Sequence, residues 1–441
     1  MVRLGSVCLH RLSEGQRRVE VCFHRLLHNP KVTAERIIAG WSEPTLAACA
    51  ERHVLAIQDT SELTFRTTSE RRRGLGRIGK GGGRGVLLHP MIAVDAETRD
   101  CLGLLTGQLW TRPEKPPVGR SADGRKRKTH SKAAFQDRES HRWIETAQAA
   151  KRCLGAAAMV TMIADREADM YALWASVPAP GVHVLGRVYH DRPVLGGGCL
   201  STVARSWPAC GTRRILLHER GERPERDAVV EVRFGQVTLA RPRTVEACQN
   251  LPKQITLTLL EVSEPSPPAA VEPVVWRLLT THPVADAQAA WQVVDWYRCR
   301  WLIEQLFRTL KKQGLRIEDS QIDEAEQLIK LVAIACRAAV ITLQLTQARA
   351  GQSRLAPAAV FDDTEQAVLE RVNQTYAGRT RLQSNPHPPH SLAWAAWIIA
   401  RLGGWDGYPS SKPPGPITFK HGLDTLKTMA AGWALRDLCM P

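Results

Sequence analysis

The chain has 441 residues, which is enough for two or three domains, and its 60 Lys and Arg residues outnumber 44 Asp and Glu residues to give a formal charge of +16. Such an excess suits a polyanionic partner, of which nucleic acid is the simplest. Eleven cysteines include no Cys-x-x-Cys pair, which argues against a zinc site and a disulfide framework. No segment has the length and composition of a membrane span, so we expect a cytoplasmic protein without a membrane partner.

The first fifty residues have the pattern of short helices. Asn29-Pro30 is expected to end one helix, and Thr33 to begin another as its N-cap. We therefore predict a compact helical region at residues 1–50.

Two apolar runs of strand length each end on an aspartate. Residues 54–58 lead to Asp59, and residues 159–164 lead to Asp165. Either aspartate alone is compatible with an ordinary helix N-cap or turn. Two such strand ends, taken together with a third carboxylate further along the chain, favour a shared functional site over two unrelated caps.

Basic residues are concentrated in loops. Residues 71–77 and 80–84 mix arginine and lysine with glycine, and residues 125–128 form a denser basic run within a Pro-, Lys- and Arg-rich loop at 113–140. Both runs are suited to DNA phosphates, although solvated loops have the same composition. No Walker or dinucleotide fingerprint accompanies the glycines, which argues against nucleotide-driven chemistry.

A strand at 182–188 is followed by short β-branched stretches at 214–218, 228–234, 236–240 and 254–260. Turn residues separate them, so they predict an antiparallel sheet inserted at about residues 190–270. A strand containing Trp276 then precedes helices whose expected N-cap is Asp286. Residues 346–441 are polar and then helical, with an apolar stripe at 391–402.

The most informative segment is 296–311, which we predict to be one helix with four functional residues on one stripe. Successive members of this set are three, four and seven residues apart, and each of these spacings places two residues at nearly the same angle around a helix. The residues are Tyr297, Arg300, Glu304 and Lys311. Arginine and glutamate pairs on a solvated helix give the same pattern.

Three carboxylates are therefore candidates for one site: Asp59, Asp165 and Glu304. Carboxylate oxygens are preferred ligands of hard divalent cations, and three of them converging would bind two such ions. Two ions can activate a water or hydroxyl and stabilise the leaving oxygen of an in-line displacement at phosphorus.

The chain resembles bacterial DDE transposases of the insertion-sequence-four family. The resemblance extends from about residue 19 toward Trp433, and it is carried by Gln58-Asp59-Thr60, by Asp165-Arg-Glu-Ala-Asp169, and by the Y-R-E-K pattern of Tyr297, Arg300, Glu304 and Lys311. It implies an α/β fold with a ribonuclease-H-like catalytic domain at 51–345, an inserted antiparallel β-sheet, and helical regions at 1–50 and 346–441.

The resemblance also implies a function, namely cut-and-paste transposition. Asp59, Asp165 and Glu304 would hold two Mg²⁺ ions, or Mn²⁺, for strand cleavage, hairpin formation and strand transfer. The expected partners are double-stranded DNA at transposon ends and target, and a second copy of the chain in a synaptic homodimer on the nucleoid.

The remaining DNA contacts follow from the same resemblance. Tyr297, Arg300, Lys311 and Arg187 would hold phosphates, and Trp276 would stack on a base turned out of the duplex. A tryptophan in a strand is otherwise typical of a hydrophobic core. The C-terminal helices would form the dimer, although an apolar stripe is also typical of plain core.

The N-terminus is shorter than the resemblance leads one to expect, since only about twenty-eight residues precede Asn29-Pro30. End recognition is therefore expected to be reduced. An alternative function is a truncated, inhibitor-like relative that binds DNA and full-length partners. A ribonuclease-H-like nuclease of repair would also use three carboxylates, but the Y-R-E-K pattern and the β insertion argue against it.

Overall fold

The computed structural model of the chain describes residues 1–65, 74–79, 83–112, 139–217, 225–242, 250–269, 271–312, 314–351, 353–376, 384–408, 410–411 and 414–439. The basic runs at 71–73, 80–82 and 125–128 lie outside the described residues. The described part is a mixed α/β structure whose strand pairs are mostly antiparallel.

The described helices are, in chain order, α1 (Leu9–Leu12), α2 (Arg17–His28), α3 (Ala34–Ala39), α4 (Glu43–Cys49), α5 (Arg142–Cys153), α6 (Tyr171–Ser176), α7 (Leu200–Ser206), α8 (Ala287–Arg298), α9 (Trp301–Lys311), α10 (Ala325–Arg349), α11 (Asp363–Tyr376), α12 (Leu392–Leu402) and α13 (Pro416–Cys439). The described strands are β1 (His53–Gln58), β2 (Ser61–Phe65), β3 (Gly76–Ile78), β4 (Gly83–Asp95), β5 (Cys101–Trp110), β6 (Met159–Ala164), β7 (Val182–Arg187), β8 (Thr212–Leu217), β9 (Arg226–Ala240), β10 (Gln254–Ser263) and β11 (Val275–Thr280).

Two compact units share these elements. The first unit comprises Met1–Ala50, Thr60–Pro116 and Leu302–Pro441, and the second comprises Glu51–Asp59 and Pro117–Trp301. The division into domains at 51 and 346 that the sequence suggests stays a prediction.

The N-terminal helices of the first unit follow the predicted pattern. Helix α2 ends at His28, directly before Asn29-Pro30, and the Thr33 hydroxyl accepts a hydrogen bond from the Arg36 amide at 3.3 Å to cap α3. Proline cannot continue a helix, and a threonine oxygen satisfies one of the amides that a helix N-terminus leaves without a partner. The first fifty residues therefore contain the short helices that their pattern predicts, while their status as a separate region stays a prediction.

Helix α10 forms the centre of the first unit and packs against β5 and α12. Its 25 residues are long and apolar enough to cross a membrane by length and composition alone, so the expectation that no segment has these properties is wrong for α10. However, 72% of its most apolar window is buried inside the protein. The burial accounts for its apolar composition, because a helix that is covered by protein on most sides needs apolar residues on most sides.

Strands β2, β3 and β5 of the first unit all pair antiparallel with β4. The short strands β2 and β3 were not predicted from the sequence. At the C-terminal end of the same unit, the Arg401 guanidinium lies 5.1 Å from the Tyr376 ring and 5.6 Å from the Trp397 ring. This cation–aromatic contact ties α11 to α12.

The second unit is built on one sheet with the strand order β1-β6-β7-β11-β10-β9-β8. Strands β1, β6 and β7 are parallel, and the remaining neighbours are antiparallel. The strands of the predicted insertion are therefore antiparallel as expected, and they extend this sheet through β11.

One prediction within the insertion is wrong. The stretches 228–234 and 236–240 form the single strand β9, although Gly235 between them suggested a turn. Gly235 pairs with Leu259 in register, and a Cβ atom added to it would lie 2.6 Å from the Trp207 ring. The glycine thus allows an aromatic ring to approach the strand, and it does not break the strand.

Candidate active site

Strand β1 leads directly to Asp59. Its last residue, Gln58, is fully buried and donates a hydrogen bond from Nε2 to the Trp143 carbonyl at 3.2 Å, which fixes the end of the strand. The Asp59 side chain that follows is 15% exposed. It is therefore partly buried at the carboxyl end of a parallel strand.

Asp165 occupies the corresponding place after β6. Its Oδ1 atom accepts a hydrogen bond from the Glu167 amide at 2.9 Å and so caps the 3-10 turn at Arg166–Ala168. The expected N-cap role and the expected position at a strand end are thus both present. Capping uses one oxygen of the carboxylate and does not exclude a further role.

The register of the parallel strands brings the two aspartates to the same level. Ile57 of β1 pairs with Ile163 of β6, and each aspartate lies two residues further along its strand. Neighbouring strands are about 4.8 Å apart, and residues at equal offsets emerge at the same edge. The carboxylates of Asp59 and Asp165 are therefore neighbours at one end of the sheet.

The predicted single helix over 296–311 is wrong. Helix α8 ends at Arg298, and α9 begins at Trp301. At the break the Arg300 amide bonds to the Tyr297 carbonyl at 3.0 Å, which is the three-residue spacing of a tighter turn. Tyr297 thus lies on α8, Arg300 lies in the turn, and only Glu304 and Lys311 share a helix.

The turn places Arg300 against Asp59, since its NH1 atom lies 2.9 Å from Asp59 Oδ2. Tyr297 is 8% exposed, and its burial raises its pKa. The cations of Arg300 and Arg187 lower the pKa of Tyr297 and the Asp165 carboxylate raises it, so all three charges lie near its ring. The second unit therefore brings five predicted site residues into one cluster.

Glu304 and Lys311 belong to the first unit, on helix α9. The apolar face of this helix is buried, and Glu304 and Lys311 are half-buried beside it. Burial lowers the pKa of the Lys311 ammonium, while the carboxylates of Glu318 and Glu62 act in the opposite direction. Seven residues separate Glu304 from Lys311, so the two share a helix face.

Trp276 and Arg187 lie on adjacent antiparallel strands. Arg187 pairs with Leu278 of β11 in register, and its NH2 atom donates to the Val275 carbonyl at 3.3 Å. Trp276 is half-buried, opposite Val262 of β10. The stacking role of Trp276 stays a prediction.

The donor chemistry of the cluster fits a hard divalent cation, since Asp59 and Asp165 offer carboxylate oxygens. Within the described residues, no group of three or more His, Cys, Asp or Glu side chains is arranged to hold a metal ion. One Asp59 oxygen also contacts Arg300. A cation at Asp59 would therefore share or displace that contact.

A family model described as the transposase DDE domain matches residues 121–341, which is half of the chain and includes both Asp165 and Glu304. The chain belongs to the transposase DDE-domain family. This confirms the predicted DDE character; membership of the insertion-sequence-four family is a finer statement than the match supports.

Among solved structures, this DDE-domain chain is similar to a piggyBac transposase in a synaptic complex with hairpin DNA, at 9% sequence identity and a TM-score of 0.36. The similarity covers 89% of this chain and 55% of that one, so the chain spans about half the length of the piggyBac protein it matches.

Sequence reasoning named Asp169 within the motif after β6 but gave it no role. In the structure its carboxylate is buried and accepts hydrogen bonds from the segment that follows β7. The available signal was a second carboxylate four residues after Asp165. A repeated acidic residue alone does not reveal a partner about twenty residues downstream.

Proposed function

We propose that the protein is a cut-and-paste DNA transposase of the insertion-sequence-four family, similar to the transposase of transposon five, with a ribonuclease-H-like catalytic core. The observation that carries the proposal is that Asp59 and Asp165 lie at equal positions beyond the ends of two parallel, paired strands. A tyrosine and two arginines lie beside these carboxylates in a chain of the transposase DDE-domain family.

Three carboxylates would hold the metal: Asp59, Asp165 and Glu304. Two bound Mg²⁺ ions, or Mn²⁺ in their place, supply activation of the attacking oxygen and stabilisation of the leaving oxygen. No described histidine or cysteine is required, since hard cations prefer oxygen ligands.

The cations of the site act on the phosphates. Arg300 and Arg187 would hold the phosphate groups that flank the scissile bond, with Tyr297 donating its phenolic hydrogen between them. The ordinary pKa of a tyrosine, 10, already keeps this proton on the phenol at neutral pH, and burial raises the pKa of Tyr297 further. Lys311 would contact a further phosphate as a compact charge.

The reaction would proceed through exchanges of phosphodiester bonds. Water first cleaves one strand and leaves a 3′ hydroxyl, which attacks the opposite strand and forms a hairpin as the flanking DNA leaves. Water reopens the hairpin, and the freed 3′ hydroxyl then attacks a target phosphodiester. Trp276 would stack on a base turned out at the hairpin, and two copies of the chain would hold the two ends.

The metal-binding carboxylates are tested by strand cleavage of a duplex that carries the inverted repeats flanking the gene. Alanine at Asp59, Asp165 or Glu304 is expected to abolish Mg²⁺-dependent cleavage while DNA binding survives, because the phosphate-binding cations remain. Asp319→Ala, an exposed carboxylate paired with Arg316, is the control and should cleave normally. Full cleavage by any of the three variants contradicts the assignment.

A further inference from the structure

Asp169 carries a fully buried carboxylate whose partners all come from other parts of the second unit. Its side chain is 0% exposed. Oδ2 accepts hydrogen bonds from the backbone amides of Tyr189 at 2.7 Å and His190 at 3.0 Å, and Oδ1 lies 2.5 Å from Arg192 NH1. Hydrogen bonds between charged groups in a buried setting are among the stronger ones in proteins.

Two further contacts strengthen this connection. Arg192 NH2 also donates to the Asp169 backbone carbonyl at 2.5 Å, so one guanidinium binds both the side chain and the main chain. The Trp174 indole donates to Asp169 Oδ1 at 3.4 Å, and its ring covers Gly186, where an added Cβ atom would lie 3.0 Å away. The ring therefore fixes the position of the strand just before Arg187.

These contacts join two segments of the proposed active site. Asp165 and Asp169 bracket the short turn after β6, so the turn that presents the metal-binding carboxylate also presents Asp169. Tyr189, His190 and Arg192 follow the last residue of β7, which is Arg187. The Asp169 carboxylate thereby holds the segment that follows β7 against the turn of Asp165, and the Trp174 ring that donates to it covers β7 just before Arg187.

We propose that Asp169 is a positioning residue that sets Arg187, and through it the bound DNA phosphate, relative to Asp165. The proposal rests on the proposed function, since it takes Arg187 as a phosphate contact. Asp169 itself lies buried and touches no substrate. Its effect on the reaction passes through the orientation of Arg187.

Asp169→Asn is the informative substitution because the amide keeps the size of the carboxylate. The substitution removes the negative charge. The NH₂ group of the asparagine then faces hydrogen-bond donors at a position where a carboxylate oxygen accepted hydrogen bonds. Asp191→Asn is the matched control in the same segment, where an exposed carboxylate accepts hydrogen bonds from the amide and the hydroxyl of Ser201. The first readout is hydrogen exchange of the Tyr189 and His190 amides, which should speed up in the Asp169 variant only.

The decisive readout is a double-mutant cycle on single-turnover strand cleavage. Asp169→Asn should slow cleavage by about tenfold to a hundredfold, the range for a small misplacement of a catalytic contact, with DNA affinity changed much less. In an Arg187→Ala background the same substitution should have little further effect, because the residue through which it acts is gone. Asp191→Asn should leave the cleavage rate unchanged in each background, relative to the wild type in one and to Arg187→Ala in the other.

If the fold-losses in cleavage rate of Asp169→Asn and Arg187→Ala multiply in the double variant, the two residues act independently. Asp169 would then only stabilise the fold, and the proposal would be overturned. Normal cleavage by a folded Asp169→Asn protein would do the same. Neither result touches the proposed function, which fails separately if the wild type shows no metal-dependent cleavage or if Asp59→Ala cleaves normally.

Discussion

At the scale of single residues, the contact between Arg300 and Asp59 places a cation where the proposed metal would bind. A nearby positive charge favours the ionised carboxylate but competes with a divalent cation for its oxygens. Arg300 therefore has two opposing effects, one on metal binding and one on the bound phosphate.

Arg300→Gln is expected to separate these effects. The Mg²⁺ concentration at half-maximal cleavage should fall, because the competing cation is gone, while the maximal rate should fall because the phosphate loses its partner. Arg298→Gln is the control, since that side chain is 43% exposed and pairs with Asp295. A variant that needs more Mg²⁺ than the wild type, at an unchanged maximal rate, contradicts this account of Arg300.

A second residue-scale feature is a histidine cluster in the second unit, in which His282 is buried and His53 and His183 are half-buried. The Thr161 hydroxyl lies 2.7 Å from Nε2 of both His53 and His282, and the His282 ring stacks on His183 at 3.9 Å. Burial, and then the neighbouring His183 and His53, lowers the pKa of His282 from 6.5 to about 3. The folded state therefore strongly prefers the neutral ring.

The stability contributed by this neutral ring should be present above pH 6.5 and be lost as the pH falls toward 3, since the unfolded chain binds the proton first. In that window the group contributes a slope of about 1.4 kcal/mol per pH unit. Denaturant unfolding of His282→Gln should show a shallower decline with acid than the wild type. His190→Gln, at an exposed histidine, should leave the slope unchanged; an equal slope for His282→Gln would contradict the assignment.

At the scale of elements, Lys330 connects helix α10 to the end of α2. Its side chain is 2% exposed, and its ammonium donates to the carbonyls of Leu27 at 3.1 Å and Asn29 at 3.2 Å. These carbonyls belong to the last turn of a helix, where no amide of the helix itself is available. The lysine thus supplies hydrogen bonds to carbonyls at the C-terminus of α2, which ends just before Pro30.

Lys330→Met should lower the free energy of unfolding by about 1–3 kcal/mol, because the apolar replacement leaves buried carbonyls without a donor. Arg337→Met is the control on the same helix, at an exposed position, and should stay within about 0.5 kcal/mol of the wild type. Equal stability of the Lys330 variant and the wild type in chemical denaturation would show that water replaces the ammonium there.

The elements also show how far sequence reasoning extends. Strands β1 and β6, the Asp286 cap of α8 and the Thr33 cap of α3 were predictable because apolar runs and capping residues are local signals. The break between α8 and α9 was not predictable, because no glycine or proline marks it. Arg300 at the break contacts Asp59, 241 residues away, and such a distant partner leaves no local pattern.

The same limit applies to the candidate site. The aspartates were identified from their strand ends, but their level arrangement depends on the parallel register of β1 with β6, which a single sequence does not specify. The partners of Asp169 were likewise not visible, although its motif was. Local chemistry was therefore predictable, and the pairing of distant segments was not.

At the scale of the whole molecule, the proposed function is that of a transposase, which has to be distinguished from a nuclease. Both classes would need the same carboxylates and would cleave DNA with the same metal. They differ in the fate of the 3′ hydroxyl, which a transposase uses as the nucleophile on target DNA. The formal charge of +16 suits DNA binding by either class and does not separate them.

The most direct test of this central claim is to incubate the purified protein with Mg²⁺, a target plasmid and a short donor duplex ending in the inverted repeats that flank the gene, and to sequence the products. We expect donor 3′ ends to be joined covalently to target DNA by the wild type and not by Asp165→Ala. Metal-dependent cleavage that never yields a joined product would contradict the account and identify the protein as a nuclease.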